Sequence, residues 1–497
     1  MSHIKKLAGQ TAIYGLSSII GRLLNYILTP LLVRVFNPGE FGVNTEFYAY
    51  VSFFIILFTY GMETTYFRFF TTVQDTKKVF NTSLISLILS SVLLSGLFVF
   101  FSPFISESIH YKNHPEYISW FAIILGLDAI SIIPFAELRA RNKPLLFAGI
   151  KLINIACNIL LTLFFIVGCP YILSHEYLSF WQPFVHAVYN PSVGIGYIFI
   201  ANLMSSAISI LLLLPIILKI KWQFDLALWK EMMKYGMPML IVGFAGMVNE
   251  TMDRILLKFY LPLSPEKAMI QVGIYGACYK LSLIMTLFVQ AFRMAAEPYF
   301  FSQSQHKDSK EMYALTMKYF VMVCSFIFLF VMVYMDVFKY FVGKEGSAFH
   351  QGLKVVPLLL LANLCLGVYY NLSIWYKISN KTGIGALIAL GGAAITIVLN
   401  VALIPSYGFM GSAWATLICY AAMMLASYFL GAVYYPIAYP VSSLSAYFLL
   451  SICLYLLSQM YSHFTSNLTL QMIGNTIILL IFPLIVYIFE KPKKILP

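Results

Sequence analysis

The chain alternates long apolar runs with brief polar and turn-forming stretches, the pattern of helices that cross a bilayer. Runs of mostly apolar residues, each long enough for a span, begin near Thr11, Gly42, Phe80, Tyr117, Leu145, Val193, Trp229, Val272, Met312, Gly352, Gly383, Gly411, Val441 and Leu470. Between them stand Asn37-Pro38-Gly39, Asn142-Lys143-Pro144, Leu261-Pro262-Leu263-Ser264-Pro265 and Ser406-Tyr407-Gly408, all turn chemistry. Only helices and closed barrels satisfy every backbone group in hydrocarbon, and these runs are long rather than alternating. The pattern therefore predicts an all-α polytopic membrane protein with about 14 transmembrane helices.

A faint repeat divides the chain. Tyr14-Gly15 followed by Arg22 and Asn25, then Asn37-Pro38 and Phe41-Gly42-Val43, resembles Tyr235-Gly236 followed by Asn249 and Arg254, then Pro262 and Val272-Gly273-Ile274. Arg141-Asn142-Lys143-Pro144 is echoed by Ser379-Asn380-Lys381-Thr382, and Gly194-Ile195-Gly196 by Gly408-Phe409-Met410-Gly411. The reading is two pseudo-symmetric six-helix lobes, residues 1–228 and 229–435, plus two additional C-terminal helices in 436–497. Two such lobes related by an axis along the membrane normal are a transporter arrangement, with the substrate between them.

Composition sharpens this picture. Of 497 residues, 60% are hydrophobic and 10% charged, which leaves little for a globular domain. The net charge of +12 is scattered in twos and threes, without a basic stripe or nucleic-acid motif, so no nucleic-acid partner is expected. An even span count places both termini on one side. The segments on that side hold 20 of the 32 Lys and Arg, against 7 on the other, so the positive-inside rule puts the termini in the cytoplasm. The first apolar run is too long for a cleavable signal and is expected to stay as a helix. Seven single cysteines and scattered histidines offer no metal site, and no phosphate-binding Gly loop, catalytic nucleophile or ATPase domain is recognisable. No cofactor and no enzyme activity are expected; an ion gradient, the membrane potential or the lipid gradient must drive transport.

Five cations remain inside the expected spans: Arg22, Lys151, Arg254, Lys280 and Arg293. Each costs about 2.5 to 3.5 kcal/mol at mid-bilayer on insertion scales, so each needs a partner or water. Arg22, Asn25, Tyr26 and Thr29 form one polar stripe at i, i+3, i+4 and i+7. Two readings stand for it: the wall of a cationic cavity that binds phosphate, or a buried ion pair with a neighbouring helix. Glu250 and Arg254 are i, i+4 partners, with Asn249 and Asp253 on the adjacent face. They read either as local pairing or as an ion-coupling site in which Glu250 and Asp253 bind H+ or Na+. Lys280 sits mid-run beside Tyr275 and Tyr279. Arg293 with Glu297 reads as a structural pair, Lys151 as snorkelling to the surface. Glu46 and Glu63 flank an aromatic run ending at Arg68, and Glu63 with Arg68 reads as a gate or an anchoring pair.

The phrase Ala8 to Arg22, AGQTAIYGLSSIIGR, together with Pro38-Gly39-Glu40-Phe41-Gly42 and the phrase Gly61 to Phe69, GMETTYFRF, resembles the opening of bacterial polysaccharide flippases. These belong to the multidrug/oligosaccharidyl-lipid/polysaccharide exporter superfamily. The resemblance implies alternating-access translocation of an undecaprenyl-diphosphate-linked oligosaccharide, of O-antigen, lipopolysaccharide or capsule type, from the inner to the outer leaflet of the cell inner membrane. Its partners would be the polyprenyl-diphosphate-linked oligosaccharide, membrane lipids and polysaccharide polymerase machinery. It implies a cationic cavity, a role that falls on Arg22 by motif position and on Arg254 and Lys280 by helix placement. The Cys169 to Pro191 segment, longer than such layouts need, reads as an outer cap. The alternatives are a lipid II flippase, a cation-coupled drug antiporter of the same superfamily, which needs an acidic cavity, and a membrane glycan polymerase, which needs a large catalytic outer loop.

Overall fold

Asn37 starts the first long helix by a capping box: its side chain accepts from the Glu40 amide at 3.0 Å, and the Glu40 carboxylate accepts from the Asn37 amide at 3.0 Å. Proline in the first turn opens several others, where its missing N–H has no intrahelical partner to lose. The structure is a computed structural model that describes residues 23, 26–304, 306, 308–464 and 467–490. The long helices are α1 Pro38–Thr59, α2 Thr76–Phe100, α3 Pro115–Ala140, α4 Pro144–Leu163, α5 Gly196–Ile217, α6 Leu226–Tyr260, α7 Pro265–Gln303, α8 Ser309–Val333, α9 Val356–Leu372, α10 Thr382–Tyr407, α11 Phe409–Tyr434, α12 Val441–Phe464 and α13 Leu468–Glu490.

There is no strand among the described residues, and 12 of these helices are long and apolar enough to cross a membrane. The exception is α6, 35 residues long and rich in charge. The span expected from Thr11 falls mainly outside the described residues. The chain is thus an all-α polytopic membrane protein.

Two compact units divide the helices: Met1–Ile255 with Leu263–Ile270, and Leu256–Pro262 with Gln271–Pro497. In the first, α3 packs on α1 and α2, and α5 packs on both α3 and α4. In the second, α9 packs on α8, and α11 packs on both α9 and α10, while α12 and α13 pack on α8 and on each other. The pairing order recurs, and so do the turns. Asn142 and Asn380 both take left-handed torsions, φ 53° and 55°. After each, the next amide bonds five residues back, Lys143 to the Leu138 carbonyl and Lys381 to the Tyr376 carbonyl, both at 2.8 Å. Gly194 (φ 51°, ψ −122°) and Gly408 (φ 57°, ψ −139°) likewise match, each leading into the fourth helix of its pairing, α5 or α11.

The segment expected as an outer cap is helical, with turns at Cys169–Ser174, Glu176–Trp181 and Gln182–Val188. Its anchor is a stack of Tyr197 on Phe165 and Tyr189, ring centroids 4.6 and 5.0 Å apart. Phe180 and Trp181 stay exposed, as aromatic rings do at a membrane interface.

Candidate functional site

Three polar sites lie inside the first unit. At the α1 start, Glu46 is fully buried, and both its oxygens accept phenol hydroxyls at 2.6 Å, from Tyr50 and from Tyr111 in the connection after α2. Burial and the adjacent carboxylate hold the Tyr111 phenol well above its ordinary range, so it remains a donor. Glu46, expected as a gate or ion pair, is thus held by two hydroxyls.

At the far end of α1 the helix breaks at Tyr60 (φ 34°) and Gly61 (φ 71°) and resumes as Met62–Thr72. Met62, Thr65 and Tyr66 are buried, and they turn the resumed helix toward α3. The Tyr66 hydroxyl donates to Glu137, which also takes Arg141. Glu63 pairs with Arg139 of α3. Arg68 lies over the Tyr235 ring of α6, 4.1 Å from its centroid. The expected Glu63–Arg68 pair is therefore corrected. Five residues on a helix turn about 500°, leaving the two side chains some 140° apart on different faces.

Between these ends runs a polar ladder. Asn202 of α5 donates to the Tyr48 hydroxyl at 3.2 Å and accepts from Asn158 of α4 at 3.4 Å. Asn158 also reaches Ser205 Oγ at 3.3 Å, and Asn154 donates to the Ser205 carbonyl and Ser209 Oγ at 2.9 and 2.8 Å. Beside them Ser206 donates to Asp128 of α3 at 2.8 Å. Lys151 does not snorkel outward as expected: its ammonium turns in over the Phe135 ring, 4.2 Å from the centroid, on the side where Asp128 attracts it. The sequence reading passed over Asp128, although a lone carboxylate in Leu125-Gly126-Leu127-Asp128-Ala129-Ile130 is itself a signal inside a span.

Of the four residues expected to form an anion cavity, Arg22 and Asn25 lie outside the described residues. Arg254, half-buried on α6, sends Nη1 to the Glu250 carbonyl at 3.2 Å. Asp253 is buried and Glu250 exposed, and Asp253 accepts from the Arg254 amide at 2.9 Å. Lys280 is half-buried on the α7 segment of the second unit.

Within that unit Arg293 lies 3.6 Å from Glu297, and Lys377, which the sequence reading did not connect to them, closes on the same carboxylate at 2.6 Å. These three and Tyr370, 4.5 Å beneath the guanidinium, line a narrow cleft with Asn371 at its wall. Among the described residues no group of His, Cys, Asp and Glu is placed to hold a metal ion.

Residues 7–305 match the family model described as polysaccharide biosynthesis protein, more than half of the chain. The chain belongs to this family. No curated protein sequence matches it. Among solved structures, the polysaccharide biosynthesis chain is similar to the lipid II flippase MurJ in an inward closed conformation: TM-score 0.72, 15% identity, covering 95% of this chain and 98% of that one. It is also similar to multidrug resistance MATE family transporters of the MOP superfamily, inward-facing (TM-score 0.64, 12% identity, 88% and 96% covered) and outward-facing (0.60, 11%, 88% and 96%). At such identities the likeness is one of fold alone.

Proposed function

We propose that this protein flips a polyprenyl-diphosphate-linked oligosaccharide from the inner to the outer leaflet of the cytoplasmic membrane by alternating access, without catalysing a covalent step. Its termini lie in the cytoplasm, the halves 1–228 and 229–435 act as lobes, and polysaccharide polymerase machinery receives the product. The observation that carries this reading is cationic charge on long helices, at Arg254 on α6 and Lys280 on α7, in a chain of the polysaccharide biosynthesis family. A diphosphate headgroup with a bulky glycan cannot cross hydrocarbon unaided, because it would lose its hydration. A guanidinium binds phosphate through two parallel hydrogen bonds, and an ammonium adds a point charge. Arg22 joins them by its place in the family phrase, with Asn25 one turn on.

Leaflet accessibility of a lipid-linked oligosaccharide in proteoliposomes tests this. Wild-type protein should equilibrate the leaflets, and Arg22→Ala, Arg254→Ala and Lys280→Ala of wild-type yield should each slow exchange at least tenfold. Undiminished exchange in all three would remove the anion site. Lipid II, the cargo named for one of the similar structures, is the second reading; if it is moved faster than the oligosaccharide, it takes the substrate's place.

A further inference from the structure

Asp128 has no part in that anion site, yet it stands 13 residues inside α3, about 20 Å from the Pro115 end at 1.5 Å per residue. An ionised carboxylate at such depth stays charged when a cation closes on it and becomes neutral when nothing compensates it. Asp128 is between these limits. Ser206 gives it one hydrogen bond at 2.8 Å. Lys151 acts on it electrostatically, but among the described residues no cation closes on it within ion-pair distance.

Three of the elements packed on α3 present polar or charged groups to Asp128. From α4 Asp128 faces Lys151, which also feels Arg139. From α5 it faces the Ser206 hydroxyl, and from α1 the Tyr48 phenol at the end of the ladder. The lysines of α2, Lys77 and Lys78, stand in its first turn. The short helices Met62–Thr72 and Ser102–Ser108 bring Glu63 and Glu107, which are paired with Arg139 and Lys112.

We propose that Asp128 is a proton-binding site of the first unit, taking up and releasing one proton in each transport cycle, with Lys151 as its fixed counter-charge. Protonation relieves the buried carboxylate; deprotonation restores its attraction to Lys151. The coupling rests on the transporter reading above, but the proton site itself does not.

Infrared titration of the purified, full-length protein reads the site directly. A protonated-carboxyl band should disappear as pH rises, be missing in Asp128→Asn, persist in Asp128→Glu, and titrate at higher pH in Lys151→Met. In proteoliposomes an imposed pH gradient should accelerate leaflet exchange of the oligosaccharide in wild type and lose that effect in Asp128→Asn. An unchanged band in Asp128→Asn, or a gradient response that survives the substitution, overturns the proposal. So does a sodium gradient that accelerates exchange through Asp128 when a pH gradient does not. If wild type moves no oligosaccharide while the band still depends on Asp128, the proton site stands and the substrate reading falls.

Discussion

Tyr66 shows what a single hydroxyl holds in place. It is fully buried and donates to Glu137, itself 8% exposed. Tyr66→Phe should lower stability by about 1 to 3 kcal/mol, because the carboxylate loses a donor that water cannot replace. Glu63→Gln, at a pair open to solvent, should cost about 0.2 to 1 kcal/mol. Thermal midpoints in detergent give the order, and a larger loss in Glu63→Gln would contradict it. Asp225 sets a pH dependence. Lys78, and then the Leu228 amide, hold its carboxyl below the ordinary 3.8. Its contribution is therefore complete above that value and lost as pH falls through the lower, folded one. In Asp225→Asn the melting temperature should fall less between pH 5 and pH 3 than in wild type. At this scale the sequence exposed which cations lie in hydrocarbon but not their partners: Lys377 is 80 positions from Glu297, and Arg139 is 76 from Glu63. Such pairings depend on which helices touch.

Elements were more legible, because a span announces itself by length and a turn by Asn, Gly and Pro. The hinge at Tyr60 and Gly61 was not, for one glycine in an aromatic run has no periodic signature. Close approaches were equally silent. A Cβ on Gly42 of α1 would stand 2.2 Å from the Met269 carbonyl, whereas one on Gly149 of α4 meets nothing within 4 Å. Gly42→Ala should thus cost about 1 to 3 kcal/mol through forced backbone displacement. Gly149→Ala should be neutral or stabilising, by up to about 1 kcal/mol, from helix propensity. Circular-dichroism melts of the two variants in detergent would separate them, and equal midpoints would mean that α1 has room to shift.

For the whole molecule, charge asymmetry between loops determines the expected orientation, a property of topology rather than of packing. Lys143 and Lys344 are both exposed and fall on opposite sides of that scheme. Five of the seven cysteines are buried, so a background lacking Cys157 and Cys453 is quiet to thiol reagents. In it, Lys344→Cys should react with an impermeant maleimide in intact cells, and Lys143→Cys only after permeabilisation. The reverse pattern would invert the protein in the membrane.

Leucine, isoleucine and valine exchange freely along a lipid-facing surface, so lettering there drifts until ancestry is erased. Backbone handedness drifts far less, since most side chains collide with their own carbonyl when φ turns positive. Asn142 and Asn380, and likewise Gly194 and Gly408, take positive φ, where most other residue types would meet that collision. Asn142 matches Asn380, and Gly194 matches Gly408, in backbone conformation where the surrounding letters differ, so the turns rather than the apolar runs keep the register between these segments.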